Sequence, residues 1–291
     1  MHAALTASST ALVAALLVGC ASGPPEPPSC PGAAEIADKV QRFAALQPFA
    51  DAAPGLTMEG AACGARKFVA ALVPAYGKVV GYKAGLTSTA VQQRFGVSAP
   101  VRGALLERML LKDGAEVAAR FGARPVVEPD LMVEVGSSAI HDAKTPQEVL
   151  ATLRAVIPFI ELGDLLVADL AKVNGPAIAA NNVGARLGVL GTPIPVRTDA
   201  AFAQALQSMT VRTTDADGTS LASAPGAAIL GHPLDAVIWL AADLKRDGIT
   251  LKPGDLLSLG AFGNLQPQPG QTLRVTYEGL PGNPSVQVRF K

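Results

Sequence analysis

From residue 126 the hydrophobic pattern of the chain changes period, and no other feature constrains the fold as much. Before that point apolar residues recur at helical spacing. Ile36, Val40 and Phe43 form one stripe, stopped by Pro48, and Phe68, Leu72 and Tyr76 form another within 58–76. Thr89 to Phe95 reads as a further short helix. Beyond it, extended patterns take over. VVEPDLMVEV (126–135) and IPFIEL (157–162) are apolar runs interrupted by acids. VRTTDADGTSLAS carries a turn signal at Asp217-Gly218 between two extended arms, which predicts a hairpin. Leu273, Val275 and Tyr277 alternate with polar residues, as do Val286, Val288 and Phe290. One amphipathic helix, PLDAVIWLAADL, intervenes, with Leu234, Val237, Ile238, Ala241 and Leu244 on one side. Helices early and strands late predict an α+β domain rather than a doubly wound sheet. With 49% hydrophobic residues in 291, a sizeable core is expected. The 24 basic and 24 acidic residues cancel, which argues against a nucleic-acid binder, since that needs a concentrated basic surface. There is no P-loop, dinucleotide glycine motif, Cys/His metal cluster or nucleophile elbow.

The N-terminus is different in kind. The apolar run Ala11 to Val18 is too short to span a bilayer and reads as a signal-peptide core within residues 1–19. The small residue before Cys20 resembles the lipobox of bacterial lipoproteins, in which the cysteine becomes the lipidated first residue. His2 is the one candidate positive side chain ahead of it, so a buried apolar helix or a misplaced start is the competing reading. Residues 20–32, CASGPPEPPSCPG, would form a semi-rigid tether to a domain spanning 33–291. With Cys20 set aside, Cys30 and Cys63 either pair in an oxidising compartment or stand as two free thiols with Cys63 buried. The expected location is the cell envelope, lipid-anchored and facing the periplasm. By resemblance to lipoprotein sorting, Ser22, in place of Asp after the cysteine, implies the outer membrane.

Glu128 and Asp130 are two residues apart, which on a strand puts both carboxylates on one face. Two like charges facing one cavity need neutralising, and all-oxygen sites suit Mg2+, Mn2+ or Ca2+ rather than Zn2+. Glu161, alone in IPFIEL, is costly to bury unpaired and is a candidate third ligand, with Asp164 nearby. The plain alternative is a solvated strand face. His141 and His232 read as loop residues with structural or exposed roles. In GYKAGLTS, Lys83 lies between two glycines after Val79-Val80. It carries chemistry if it points into a polar cavity, and is an ordinary turn lysine if it does not.

GYKAGLTSTAVQQRFGV, VEPD, PFIELGDLL, and LGHPLDAVIWLAADL followed by GITLKPGDLLSLG occur here in one order. Together they resemble the 2-keto-4-pentenoate hydratases of the fumarylacetoacetate hydrolase superfamily, which also contains 4-oxalocrotonate decarboxylases. The resemblance runs from about Ala33 to Lys291. It implies a mixed β-sandwich roll with N-terminal and flanking helices. It implies Mg2+ or Mn2+ held by an E-x-E pair and a later glutamate, here Glu128, Asp130 and Glu161, with Asp130 a shorter arm than the usual second glutamate. A small 2-oxo acid would chelate that cation, which acts as a Lewis acid, before water adds to the conjugated double bond. Lys83 would assist proton transfer or hold a carboxylate, and its flanking glycines would let the backbone approach the ligand. A homo-oligomer is expected.

The chain departs from that pattern in three places. An Asp-Asn-Ala-Ser-Ser-Gly segment becomes Asn181-Asn182-Val183-Gly184-Ala185-Arg186, keeping Asn182 as a substrate contact but losing both serines. Arg186 adds a cation that would bind an anionic substrate or pair with an acid. A Gly-Ser-Leu-Thr run becomes Gly260-Ala261-Phe262-Gly263, one residue shorter, and Leu165-Leu166 replaces Ser-Arg after Asp164. The expected function is a metal-dependent lyase of the hydratase type with an altered 2-oxo acid substrate. The alternative is a catalytically silent, lipid-anchored ligand- or partner-binding protein on the same scaffold. A 2-oxo acid decarboxylase ranks lower. So does a diketo-acid hydrolase, because neither histidine sits in a His-Glu motif.

Overall fold

The computed structural model describes residues 26–291. The signal, Cys20 and the first part of the tether lie outside the described residues. Helices α1 (Ala33–Ala44) and α2 (Met58–Tyr76) precede strand β1 (Val79–Gly85). Helix α3 (Thr89–Arg94) leads to β2 (Val101–Leu106) and the short β3 (Leu110–Lys112) and β4 (Glu116–Val117). Two long strands follow, β5 (Pro125–Val135) and β6 (Leu153–Asp164), joined through α4 (Pro146–Leu150). Then come α5 (Gly175–Ala180), β7 (Leu187–Leu190), β8 (Ile194–Pro195) and α6 (Ala200–Ser208). The chain ends with the hairpin β9 (Thr210–Thr214) and β10 (Ser220–Pro225), helix α7 (Pro233–Arg246), β11 (Leu256–Ser258), β12 (Thr272–Glu278) and β13 (Ser285–Phe290).

The local reasons are readable. The Thr57 side chain caps α2 by accepting from Gly60 N–H, and Gly77, at φ 82°, ends it. Helix α1 stops at Ala44, ahead of Pro48. The hairpin turn forms as expected, with Asp215 Oδ1 accepting from Asp217 and Thr219 N–H and Gly218 at φ 84°. Strands also occur before residue 125. β3 and β4 are only three and two residues long, and β1 and β2 show no regular apolar–polar alternation in the sequence.

One sheet has eight strands, ordered β2-β1-β11-β5-β6-β7-β3 with β8 against β6. The other has five, ordered β10-β9-β12-β13-β4. The two share a core. Val127, Leu131 and Val133 of β5 and Val156, Ile160 and Leu162 of β6 pack with Val275 and Tyr277 of β12, Val288 of β13 and Leu240 of α7. This is the α+β sandwich expected. The opposite face of β5 and β6 carries Met132, Ile157 and Phe159, covered by Leu105 and Ala185. That second face also bears the acids.

Cys30 and Cys63 form a disulfide with Cα atoms 5.5 Å apart. It joins the segment before α1 to α2, and Lys67 adds bonds to Glu26 (2.7 Å) and to the Pro31 carbonyl (3.1 Å). Closing a loop with a sequence separation of 33 stabilises the fold by about 3–4 kcal/mol on chain-entropy grounds.

Candidate active site

The register of β5 against β6 assembles the acids. Glu128 lies directly opposite Glu161, and Asp130 opposite Phe159. Because side chains alternate, Glu128, Asp130 and Glu161 all leave the sheet on the Met132–Phe159 face. Gly163 keeps the space open there. A Cβ added to it would lie 3.7 Å from Glu161 Oε1 and 3.8 Å from Glu128 Oε2. Strand β1 brings in Lys83, two strands away through β11, where it registers with Ser258. Lys83, Glu161 and Asp130 are buried and Glu128 is half-buried.

Lys83 Nζ donates to Glu161 Oε1 and, at 2.9 Å, to the Val183 carbonyl. That carbonyl is aimed by an unusual backbone. Asn182, Val183 and Gly184 are consecutive left-handed residues at φ 54°, 53° and 67°. A β-branched residue in that region is a steric outlier, of the kind concentrated at functional sites. The glycines beside Lys83 serve this arrangement rather than a ligand. A Cβ on Gly81 would meet Leu256 O at 2.1 Å, and one on Gly85 would meet Val183 Cγ1 at 2.3 Å. They let the protein's own neighbours close on the lysine strand, a correction to the expected approach of substrate.

Asp130 is held firmly. Ser258 Oγ donates to Oδ2 at 2.6 Å, and the N–H groups of Leu131 (2.5 Å), Gly260 (2.9 Å) and Leu259 (3.2 Å) donate to Oδ1. Oδ2 keeps a lone pair for a further partner. Burial, then the Glu161 charge, pushes Asp130 up to about 7 despite those bonds. Burial and Glu161 likewise push Glu128 up to about 8, against the pull of Lys83. For Lys83, burial alone would favour the neutral amine. The carboxylates of Glu161, Glu128 and Asp130 overrule it and raise the ammonium above its usual range.

Three carboxylates against one ammonium leave a deficit of positive charge in a buried, oxygen-rich site, which a divalent cation fits. The cage is not closed, however. Among the described residues the one ligand-type trio with atoms within 4.8 Å of one another is Glu26, Cys30 and Cys63, and its sulfurs are joined as the disulfide.

Two expected substrate contacts are engaged by the protein itself. Asn182 Oδ1 accepts from Ala104 N–H at 2.7 Å and its Nδ2 donates to Ala104 O at 2.9 Å, clamping the left-handed turn to β2. Arg186 pairs with Asp164 (Nε to Oδ2, 2.8 Å), donates to Phe43 O, and lies 3.8 Å over the Phe43 ring. Asp164 also accepts from Ala123 and Arg124 N–H, so it belongs to this structural knot and not to the acid trio. The histidines are pins. His141 Nδ1 donates to Ala241 O while Nε2 accepts from Leu251 N–H, and His232 caps α7 through Leu234 N–H. Ser258 and the Val183 carbonyl were missed from sequence. A lone hydroxyl inside LLSLG was the available signal for Ser258; nothing local marks the carbonyl.

No family model matches the chain. It is 33% identical over 216 residues to the 2-keto-4-pentenoate hydratase of Paraburkholderia xenovorans, covering 74% of this chain and 77% of that protein. The chain belongs to the 2-keto-4-pentenoate hydratase family. The 2-hydroxyhexa-2,4-dienoate hydratase of Comamonas testosteroni extends this family match to 83% of the chain and 90% of that relative, at 29% identity. The fold is shared with a solved structure. A 4-oxalocrotonate decarboxylase from Pseudomonas putida, solved with magnesium and adipate, superposes with a TM-score of 0.77 over 89% of this chain and 96% of its own, at 24% identity.

Proposed function

We propose that the chain is a divalent-metal-dependent lyase of the hydratase type acting on a small 2-oxo acid. The observation that carries this reading is the group of buried Lys83, Glu161 and Asp130 with half-buried Glu128 on one sheet face. Glu128, Asp130 and Glu161 would hold Mg2+ or Mn2+, and the cation, when bound, supplies Lewis-acid polarisation of a 2-oxo group. Glu161 would divide its oxygens between that ion and Lys83. The ammonium of Lys83 has three donors, of which Glu161 and Val183 O take two. The third can hold a substrate oxygen or move a proton to it. Hydratase and decarboxylase relatives, one of them solved with magnesium, support the reading. An altered substrate is supported by the engagement of Asn182 and Arg186 within the protein.

A thermal-shift titration tests this. Mg2+ or Mn2+ should raise the melting temperature, and pyruvate or oxalate should raise it further, by mass action on the native state. No response to either would leave the acids structural and put the silent scaffold first.

We propose further that the protein works in the periplasm as a homo-oligomer, anchored to the outer membrane through lipid on Cys20. The disulfide supports an oxidising compartment. Cys20→Ala should move the protein from the membrane to the soluble fraction. A variant that stays with the membrane refutes the anchor.

A further inference from the structure

Tyr277 heads the fully buried side chains by volume, yet its hydroxyl is not at rest in the core. It stands on β12, in the five-stranded sheet, and reaches across the core to the other sheet. There it enters the seam between β5 and β6 at the Asp130–Phe159 pair. The phenol oxygen accepts from Phe159 N–H at 3.0 Å and donates to the Asp130 carbonyl. It also lies 3.0 Å from the Phe159 carbonyl. Prolines occupy the next position on each strand, Pro129 opposite Ile160 and Pro158 opposite Leu131. Neither has an N–H. The seam behind the acid trio is thus held from the far sheet at a place where both strands carry a residue that cannot donate.

We propose that Tyr277 is a positioning residue for the metal site: by fixing the β5–β6 seam at Asp130 it sets where the Asp130 carboxylate stands on the opposite face. The route is short. The residue whose carbonyl takes the Tyr277 hydroxyl is the one whose carboxylate is held by Ser258, Leu259 and Gly260. A shift of the strand at residue 130 moves the acid relative to Glu128 and Glu161. This inference rests on the metal reading above.

The test is Mn2+ affinity, read as free Mn2+ by electron paramagnetic resonance, on wild type, Tyr277→Phe and Val275→Ala. Val275 lies on the same strand in the same core but has no polar side-chain atom, so its truncation lowers stability while leaving the Tyr277 hydrogen bonds to the seam in place. Partners behind metal ligands typically contribute about 10–100-fold in affinity, so Tyr277→Phe should weaken Mn2+ binding about tenfold or more. Val275→Ala should bind like wild type despite its lower melting temperature. Should Tyr277→Phe not hold its fold in plain buffer, the same titration in sucrose, which favours the compact state, gives the same comparison. Wild-type affinity in Tyr277→Phe overturns the inference, as does an equal loss in Val275→Ala, which would make the effect one of stability alone. A wild type that binds no Mn2+ overturns the metal reading beneath it.

Discussion

Lys83→Met should lower turnover of a 2-oxo acid by about 10²–10⁴-fold, the usual contribution of a positioned proton-transfer group. Methionine keeps an unbranched apolar stem, one atom shorter, and removes the charge. Its second effect is on folding. Glu161 would lose the ammonium it now contacts, and breaking a buried pair from one side destabilises by about 3–5 kcal/mol. That loss should appear in the metal-free protein and shrink when Mn2+ is added, because the ion replaces the missing positive charge beside Glu161. It should also shrink at acid pH, where the carboxylates take up protons instead. Kinetics and melts on the loaded and metal-free variant separate the two effects. Full activity in Lys83→Met would remove the lysine from the chemistry.

Glu161→Ala should abolish stabilisation by Mn2+ altogether, and it should flatten the pH dependence of the metal-free protein. In wild type, burial and the Glu161 charge move Glu128 from 4.5 to about 8 and Asp130 from 3.8 to about 7. The native state therefore binds protons that the unfolded chain has released across roughly pH 4 to 8, so stability falls as pH rises through that window. Bound Mg2+ or Mn2+ competes with those protons and reverses the fall. Without Glu161 a principal source of both shifts is gone. Melting curves from pH 5 to 8, with and without metal, check both statements. A metal-free wild type whose melting temperature rises over that range, or a Glu161→Ala protein still stabilised by Mn2+, would dissolve the trio as a site.

Much of this was legible in the sequence. The period-two spacing of Glu128 and Asp130 fixed their common face, and the acid in IPFIEL announced a partner by its own burial cost. What stayed hidden was non-local. Lys83 meets Glu161 across 78 residues, and only sheet order shows it. Tyr277 alternates perfectly with Leu273 and Val275, so its pattern says core and nothing of its hydroxyl. Arg186 illustrates the converse. Its charge suggested a ligand, but pairing with an acid was the other stated option, and Asp164 is that acid. Strands β3 and β4 were hidden for a different reason, being too brief to establish a period, and β1 (VVGYKAG) and β2 (VRGALL) because they carry glycine and no regular apolar–polar alternation.

The left-handed run at 182–184 makes the backbone itself a limit on which side chains the loop can carry. A serine placed at 184 would set its Cβ 2.8 Å from the Asp164 carbonyl, on a backbone at φ 67° that suits glycine. Recovering a hydroxyl there requires the loop to change course first, while Asn182 holds it to β2 and Val183 O holds Lys83. Intermediates would pass through a loosened lysine before any new contact formed. The loop thus resists replacement one residue at a time, and introducing hydroxyls there calls for exchanging the whole segment from 181 to 186 in one step.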